Sequence, residues 1–381
     1  MNEKTIPFGK PILGDEERQA VLDTLDGPIL AHGPRGKAFE KVFADFTSAP
    51  YALSVSSCTA GLHLGYFYLG LGAGDEVIVP AQTHTATAHA VEYTGATPVF
   101  VDAEAITGNI DLDQVEEAIT ERTRAISIVH FLGKPVNMGR LMEIANKHGL
   151  FVVEDCALSV GAAFRGVHTG LHGDMGAFSF YPVKHMTTAE GGMVITRRDD
   201  MAAKMERQKA FGVNRTVSER PIPGVYDVTM LGYNYRMNEI EAAIGIVQVS
   251  RLKGFLDQRR KNYTVLYDAL RQMDEVTPLD SGDDTGMVAA HYCLCAVLSP
   301  SLAKRRYEVI KHLKNQGVGT SVYYPRPVPH MSYYSEKYGF GKETFPQAAR
   351  ISYQSIALPV GPHLDEDDMI YIVNTLKMAL R

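Results

Sequence analysis

Short apolar runs alternate with segments of helical periodicity between about residues 50 and 200. The apolar runs have the composition of buried strands and cover residues 51–55, 76–80, 98–102, 125–129, 150–154 and 193–196. Residues 111–120 begin with a capping Asp111 and carry apolar side chains at helical spacing, and residues 138–148 end at Gly149, as helices do. This order of strand, helix and strand predicts an α/β fold with a mostly parallel sheet covered by helices on both faces.

The pattern changes after about residue 250. A small-residue helix is predicted at 240–249, a long charged helix at 251–273 and a final helix at 365–380, with strands and helices alternating between the last two. Because 381 residues are too many for one core, we expect two domains. These are a large domain over residues 1–250 and a smaller C-terminal α/β domain over residues 251–381. A helix at residues 16–25 is expected near their junction.

The composition of the chain limits the functional classes to which this protein can belong. Hydrophobic residues make up 45% of the chain, charged residues 22%, and the formal net charge is -6. This balance is typical of a soluble globular protein and provides no basic field for nucleic acid or an anionic membrane. No apolar run approaches the roughly 20 residues that span a bilayer, and the N-terminal residues lack a signal-peptide layout, so we expect a cytoplasmic protein. The four cysteines lack the spacing of a zinc site, and no metal is predicted.

Ligands of α/β sheets bind beyond the carboxyl ends of the strands, so the residues that follow each strand are the first candidates for chemistry. Residues 56–61 are Ser-Ser-Cys-Thr-Ala-Gly and lie between the strand at 51–55 and an apolar helix. Free amides at the start of that helix, joined by the hydroxyls of Ser57 and Thr59, would hold a phosphate group. An ordinary helix N-cap fits the same residues.

Two acids, Glu154 and Asp155, end a strand that is otherwise apolar. A carboxylate there is partly desolvated and needs a cationic partner, which the protonated ring nitrogen of a cofactor would supply. A helix cap or a metal ligand fits as well, although no paired His or Cys stands at ligand spacing nearby.

Lys184 follows a strand-like segment and precedes a Gly191-Gly192 pair and the strand at 193–196. Most lysines are solvated surface charges, but desolvation between apolar strands would lower the pKa of this amine and free it for Schiff-base chemistry. A fourth segment, residues 231–239, is rich in aromatic and amide side chains. It predicts either a tight packing corner or a loop that reaches into a neighbouring subunit.

Together these four segments resemble the DegT/DnrJ/EryC1/StrS family of sugar aminotransferases, which have the type I fold of pyridoxal-phosphate enzymes. The likeness runs from residues 7–8 and 74–80 to residues 355–359, and the order, spacing and chemistry of the segments agree at once. The resemblance implies pyridoxal 5'-phosphate as the cofactor. It also implies amino transfer from L-glutamate to a keto-deoxy sugar that is linked to a nucleotide.

The resemblance further implies roles for individual residues. Lys184 matches the Schiff-base lysine, which then moves a proton as general base and acid, and Asp155 matches the acid that keeps the pyridine nitrogen protonated. Asn234 matches the residue that reaches the phosphate from the partner subunit, which implies a homodimer with shared active sites. The implied phosphate contacts within the chain are Ser57, Cys58, Thr59 and Ser179.

Three positions depart from the family pattern. His84 stands where members often have a larger aromatic side chain against the cofactor ring, and an imidazole can stack in its place. Leu158 occupies a position where many members carry a polar side chain near the phenolic oxygen of the cofactor. Cys58 replaces the usual Gly of the phosphate loop, which is tolerable if its backbone amide does the binding.

Lys184 also separates possible activities. Dehydratases of the family have His at this position, so Lys184 favours transamination, and residues 187–192 look more like members that aminate C4 of a hexose than those that aminate C3. A non-catalytic regulatory or assembly relative is one alternative, against which the pairing of Lys184 with Asp155 argues. A type I aminotransferase of free amino acids is another, with Arg236 and Arg326 as candidates for a carboxylate clamp.

The substrate pocket is assigned by resemblance alone. Residues 323–330 resemble the family segment near the sugar nucleotide, so His330 is a candidate contact and Arg326 could meet a diphosphate. A Pro-rich connector with an exposed charge fits the same run. His185, beside Lys184, is a further candidate for contact with the substrate.

Overall fold

The protein is described from a computed structural model that covers residues 4–214, 222, 225–284 and 286–381. The first part of the chain builds one layered unit. Its elements are α1 (Asp15–Leu25), α2 (Pro34–Thr47), β1 (Tyr51–Val55), α3 (Cys58–Leu69), β2 (Glu76–Pro80), α4 (Thr85–Glu92), β3 (Thr97–Val101), α5 (Leu112–Glu117), β4 (Thr123–Val129), α6 (Met138–His148), β5 (Phe151–Asp155), β6 (Ala163–Phe164), β7 (Val167–His168), β8 (Met175–Ser179), β9 (Gly192–Thr196) and α7 (Asp199–Gln208).

The rest of the chain begins with a long helix and continues with shorter elements. These are α8 (Glu239–Leu270), β10 (Val276–Pro278), β11 (Met287–Val288), β12 (Leu294–Leu298), α9 (Arg306–Asn315), α10 (Ser332–Tyr338), α11 (Pro346–Gln354), β13 (Ser355–Leu358) and α12 (Glu366–Leu380). Among the described residues, no helix has the length and apolar composition needed to cross a membrane.

A seven-stranded sheet in the order β1-β9-β8-β5-β4-β2-β3 forms the centre of the fold. The pairs β2/β3, β2/β4, β4/β5 and β5/β8 are parallel, whereas β9 runs antiparallel to both β8 and β1. The predicted mostly parallel sheet is therefore confirmed. The exception arises because β9 follows β8 after a connection of residues 180–191 that contains no crossover helix.

Helices cover both faces of this sheet, as predicted. Alternate residues of a strand point to opposite faces, and β2 shows the consequence. Val77 and Val79 pack in one cluster with Leu62 of α3, whereas Ile78 packs in another cluster with Leu141 of α6. Every residue of β2 is buried, and burial on both sides explains why the strand is apolar from Val77 to Pro80.

Several predicted helices agree with the structure, and one ends earlier. α6 covers the predicted 138–148, and Gly149 caps it in the left-handed conformation at φ 64°. α5 begins after the capping Asp111 but ends at Glu117 instead of 120. The N–H of Thr120 donates to the side chain of Thr123 at 2.9 Å, which turns the chain into β4.

The prediction of separate helices at 240–249 and 251–273 is wrong, because α8 runs without a break from Glu239 to Leu270. Asn238 opens it with a side-chain bond to the N–H of Glu241 at 2.9 Å, and no Pro interrupts the helix afterwards. The change in composition at residue 250 therefore marks a change in the surroundings of one continuous helix. The division into domains at 250 and 251 stays a prediction, and it falls within α8.

A second core lies beside the large sheet. It joins the three-stranded sheet β10-β12-β13 to α9, α12 and the end of α8. Ile6 belongs to the same core, and its N–H donates to the carbonyl of Gly317 at 2.8 Å. The start of the chain therefore packs with its C-terminal third.

Candidate active site

The carboxyl ends of the parallel strands bring the predicted site residues to one edge of the large sheet. β1, β5 and β8 run in the same direction, so Ser57, Asp155 and Lys184 lie at or beyond the same edge. β2 is parallel to these strands through β4 and delivers His84 there. Burial lowers the pKa of His84, the positive charge of Lys184 lowers it further, and Asp155 opposes both. The charges of Lys184 and Asp155 therefore both act on the His84 imidazole.

The loop between β1 and α3 presents the start of a helix to this edge. Ser57 caps α3, because its Oγ accepts a hydrogen bond from the N–H of Ala60 at 3.1 Å. The N-cap interpretation is thus confirmed, and the Ser57 hydroxyl keeps its proton as a donor. The amides of Cys58 and Thr59 lie in the first turn, where N–H groups have no helical partner and favour an anion.

Gly192 holds this loop close to the sheet. A Cβ at Gly192 would meet the carbonyl carbon of Ser57 at 2.6 Å and the nitrogen of Cys58 at 2.7 Å, so only glycine fits. Gly192 pairs with Ser179 at the end of β8, and the Ser179 side chain accepts from the N–H of Tyr181 at 3.4 Å. Ser57 and Ser179 thus both lie next to Gly192. The hydroxyl and amide donors around Gly192 fit a phosphate group.

Asp155 is a buried carboxylate at the end of β5, with 4% of the residue exposed. Its Oδ1 accepts from the N–H of Ala157 at 3.0 Å and lies 3.8 Å from the Cys58 sulfur. Its Oδ2 accepts from the hydroxyl of Thr87 at 2.8 Å. Burial and the Asp155 charge raise the pKa of the Cys58 thiol well above its usual range, so the thiol stays protonated. These contacts leave Oδ2 with an acceptor position for a ring N–H.

The adjacent acid, Glu154, has a different environment because it is fully buried on the opposite face of β5. Four donors surround its carboxylate: His130 Nε2 at 2.9 Å and the amides of Gly170 at 2.7 Å, His172 at 2.8 Å and Gly173 at 2.7 Å. Burial raises the pKa of Glu154, but His130 and the amides outweigh it and lower the pKa overall. Possible metal-ligating atoms of His130, Glu154 and Cys156 lie close together, yet these donors already occupy the carboxylate. Glu154 is therefore structural.

Lys184 lies in the connection between β8 and β9 and is half-buried. Burial lowers the pKa of its amine, and the carboxylate of Asp155 opposes the shift. Its Nζ lies 5.2 Å from the centroid of the Tyr292 ring. A desolvated amine beside a carboxylate that holds the positive charge of a ring is the arrangement that Schiff-base chemistry requires.

An aromatic wall faces Lys184, and the sequence did not reveal it. The hydroxyls of Tyr292 and Tyr323 are hydrogen-bonded at 2.6 Å, and the ring of Phe8 stacks on Tyr323 with centroids 5.9 Å apart. Both tyrosines lie far from Lys184 along the chain; Tyr292 stands in no motif, and Tyr323 begins the segment 323–330, in which only Arg326 and His330 were candidates. Only the packing of the C-terminal part against the sheet brings them to the site.

His84 and Leu158 are the other positions at which the sequence departs from the family pattern. The His84 Nδ1 accepts from the N–H of Ala86 at 3.1 Å and so caps α4, while its ring meets Tyr324 edge-on at 5.7 Å. Leu158 is buried, with 1% exposed. The predicted stacking by His84 stays a prediction.

Two of the candidate substrate residues are buried and bonded to the protein. His185 donates from Nε2 to the carbonyl of Ala290 at 2.9 Å. The ring nitrogens of His330 lie 3.3 Å from the Tyr353 hydroxyl and 3.2 Å from the Thr344 hydroxyl. Their predicted substrate contacts stay predictions, and these bonds support positioning roles.

The other candidates are more accessible. Arg326 is exposed on the segment that follows the aromatic wall. Arg236 is half-buried with its guanidinium carbon 4.9 Å from the centroid of the Phe211 ring, and Asn234 is exposed on the same loop. Asn234 is therefore accessible to another molecule.

Comparison with known proteins gives matches over nearly the whole chain. The model of the DegT/DnrJ/EryC1/StrS aminotransferase family matches residues 11–377. The spore coat polysaccharide biosynthesis protein SpsC of Bacillus subtilis is 35% identical, with 98% of this chain and 96% of SpsC covered. GDP-perosamine synthase of Escherichia coli O157:H7 is 35% identical, with 98% of both chains covered. The PLP form of Spr1654 from Streptococcus pneumoniae is 30% identical, with a TM-score of 0.92 and 99% of both chains covered.

Proposed function

The chain belongs to the DegT/DnrJ/EryC1/StrS aminotransferase family, and we propose that it transfers an amino group from L-glutamate to C4 of a nucleotide-linked keto-deoxy sugar. The predicted type I fold, pyridoxal 5'-phosphate cofactor and sugar aminotransferase activity are confirmed by the family match and the related structures. The alternative of a non-catalytic relative is thereby set aside. The donor, the nucleotide and the position of amination are the proposal.

The observation that carries the proposal is the desolvated amine of Lys184 beside the carboxylate of Asp155. When bound, pyridoxal phosphate supplies an electron sink that makes a proton on the substrate carbon easier to remove. The amides of Cys58 and Thr59 and the hydroxyls of Ser57 and Ser179 would hold its phosphate. Burial lowers the pKa of the Lys184 amine, which favours its roles as a nucleophile and then as general base and acid.

Three features support the proposed acceptor. One relative is named GDP-perosamine synthase, a name that refers to a sugar linked to a nucleotide. Arg326 is exposed near the aromatic wall and could pair with a diphosphate. Residues 187–192 resemble members that aminate C4. A clamp for a free amino acid at Arg236 is less favoured, since its guanidinium lies against Phe211.

The shared active site of a homodimer is also part of the proposal. Asn234 is exposed, and the same surface carries unusually exposed apolar side chains, including Phe211 at 48%, Val228 at 56% and Leu231 at 69%. Exposed apolar side chains clustered in this way are typical of a protein interface. A second subunit would bury them and place Asn234 in its neighbour's site.

The donor is tested by the absorption spectrum of the purified enzyme with and without L-glutamate. We expect the visible band of the lysine-bound cofactor to disappear on addition of glutamate and to return with a nucleotide-linked 4-keto sugar. A Lys184→Ala variant should give no borohydride-reducible adduct, whereas the exposed control Lys377→Ala should behave as the wild type. An unchanged band with glutamate would contradict the donor, and product formed only from 3-keto sugars would contradict C4.

The shared site is tested by mixing two inactive variants, Lys184→Ala and Asn234→Ala. In a hybrid dimer, one site would carry both substitutions and the other neither. We therefore expect activity to return after subunit exchange. Hybrids isolated with two affinity tags that remain inactive would refute a site built from both subunits.

A further inference from the structure

Two buried hydroxyls stand in line behind the carboxylate of Asp155. Thr83 and Thr87 have 1% and 0% of their surface exposed. The Thr83 and Thr87 hydroxyl oxygens are 2.7 Å apart, and the Thr87 oxygen is 2.8 Å from Asp155 Oδ2.

The direction of these bonds follows from the number of protons. An ionised carboxylate only accepts, so Thr87 must donate its single hydroxyl proton to Asp155. The bond between the two threonines therefore takes its proton from Thr83. Both O–H dipoles point at the carboxylate, and aligned hydrogen bonds of this kind strengthen one another in a medium of low dielectric constant.

The remaining contacts of Asp155 show why this line of hydroxyls matters. Oδ1 accepts from the Ala157 N–H at 3.0 Å and from the Cys58 sulfur at the long distance of 3.8 Å. Oδ2 has Thr87 as its donor. Among the described residues no cationic side chain forms a salt bridge with Asp155, so its direct contacts are hydroxyl, amide and thiol groups, and Lys184 acts on it only from a longer distance.

We propose that Thr87, supported by Thr83, is a positioning residue that holds the carboxylate of Asp155 in one orientation, with an acceptor position of Oδ2 turned toward the cofactor ring. The proposal depends on the cofactor but not on the donor or the sugar. It acts through Asp155, since Thr87 itself lies behind the carboxylate. It also explains the spacing of the two threonines, since Thr83 precedes His84, the N-cap of α4, and Thr87 lies four residues later in the first turn of the helix.

The experiment uses three variants and a control. Thr87→Val keeps the shape of the side chain and removes the hydroxyl, Thr87→Ser keeps the hydroxyl, and Thr83→Val removes only the second member of the line. Thr375→Val is the matched control, because Thr375 is a buried threonine of α12 whose hydroxyl bonds only to a backbone carbonyl at 2.8 Å. Each protein is prepared without cofactor and then titrated with pyridoxal phosphate.

We expect Thr87→Val to weaken cofactor binding about tenfold, since hydrogen bonds to charged groups are worth more than neutral ones. The pH titration of the visible band of the bound cofactor should shift in the same variant. Thr83→Val should show a smaller effect of the same sign. Thr87→Ser and Thr375→Val should resemble the wild type in both measurements.

Two results would overturn the proposal. One is a Thr87→Val protein with wild-type cofactor affinity and an unchanged pH titration. The other is a Thr87→Ser protein as impaired as Thr87→Val, which would assign the effect to shape. The melting temperature of each cofactor-free protein separates a loss of fold from a loss of positioning. Failure of the wild type to use glutamate would leave these measurements unaffected and would contradict only the proposed function.

Discussion

The substitution Glu154→Gln tests whether the two adjacent acids of β5 have separate tasks. Glu154 accepts four hydrogen bonds, three of them from backbone amides whose protons cannot turn away. Glutamine replaces one oxygen by an NH₂ group, which then faces two donors. Each buried donor left unsatisfied costs roughly 1–3 kcal/mol, so we expect a loss of roughly 2–6 kcal/mol in the free energy of unfolding.

Asp155→Asn provides the contrast. Its partners include the hydroxyl of Thr87, which can rotate and accept from an amide, while the remaining oxygen still accepts from Ala157. We expect the free energy of unfolding of the Asp155→Asn variant to lie within about 1 kcal/mol of that of the wild type. Because an amide carries no negative charge to hold a protonated ring, transamination should fall by about a hundredfold or more.

The assay is urea unfolding of the cofactor-free proteins, followed by circular dichroism, with Glu336→Gln as an exposed control that should be neutral. The low pKa of Glu154 adds a pH signature. A carboxylate whose pKa is lower in the folded state stabilises the protein above its unfolded pKa, and the benefit disappears as the pH falls through the folded value. A Glu154→Gln protein as stable as Glu336→Gln at neutral pH would refute the reasoning.

Other predictions concern the phosphate loop and a buried ion cluster. Gly192→Ala should weaken pyridoxal phosphate binding about tenfold because its Cβ has no room, whereas Gly254→Ala, with nothing within 4 Å, should bind normally in the same titration. Equal affinities would contradict the close approach at Gly192. Burial opposes ionisation of Glu40, but Lys209 and Lys37 outweigh it and lower its pKa to about 2. The wild type should therefore lose more stability than Glu40→Gln in acid melts between pH 4.5 and about 2, and parallel curves would count against this ion cluster.

Much of the large sheet could be predicted from local pattern. The inner strands are buried on both faces, so the sequence records them as mostly apolar runs, and β1 and β2 have the predicted bounds. Helix ends were predictable where a capping residue marks them, as at Asp111 and Gly149. The continuity of α8 was not, since a shift from small to charged residues changes the surroundings of a helix without ending it.

The sequence by itself determined the chemistry of the site: an amine at Lys184, an acid at Asp155 and a capped helix start at Ser57, each just after a strand. That order places them at one edge of a parallel sheet, whatever the details of packing. The tertiary structure decided which of the adjacent acids lies beside Cys58 and Thr87, because strand alternation turns Glu154 to the opposite face of β5. It also brought Thr87 beneath Asp155 and Tyr292 against Lys184. These contacts join residues that are far apart in the chain, so no local sequence pattern predicts them.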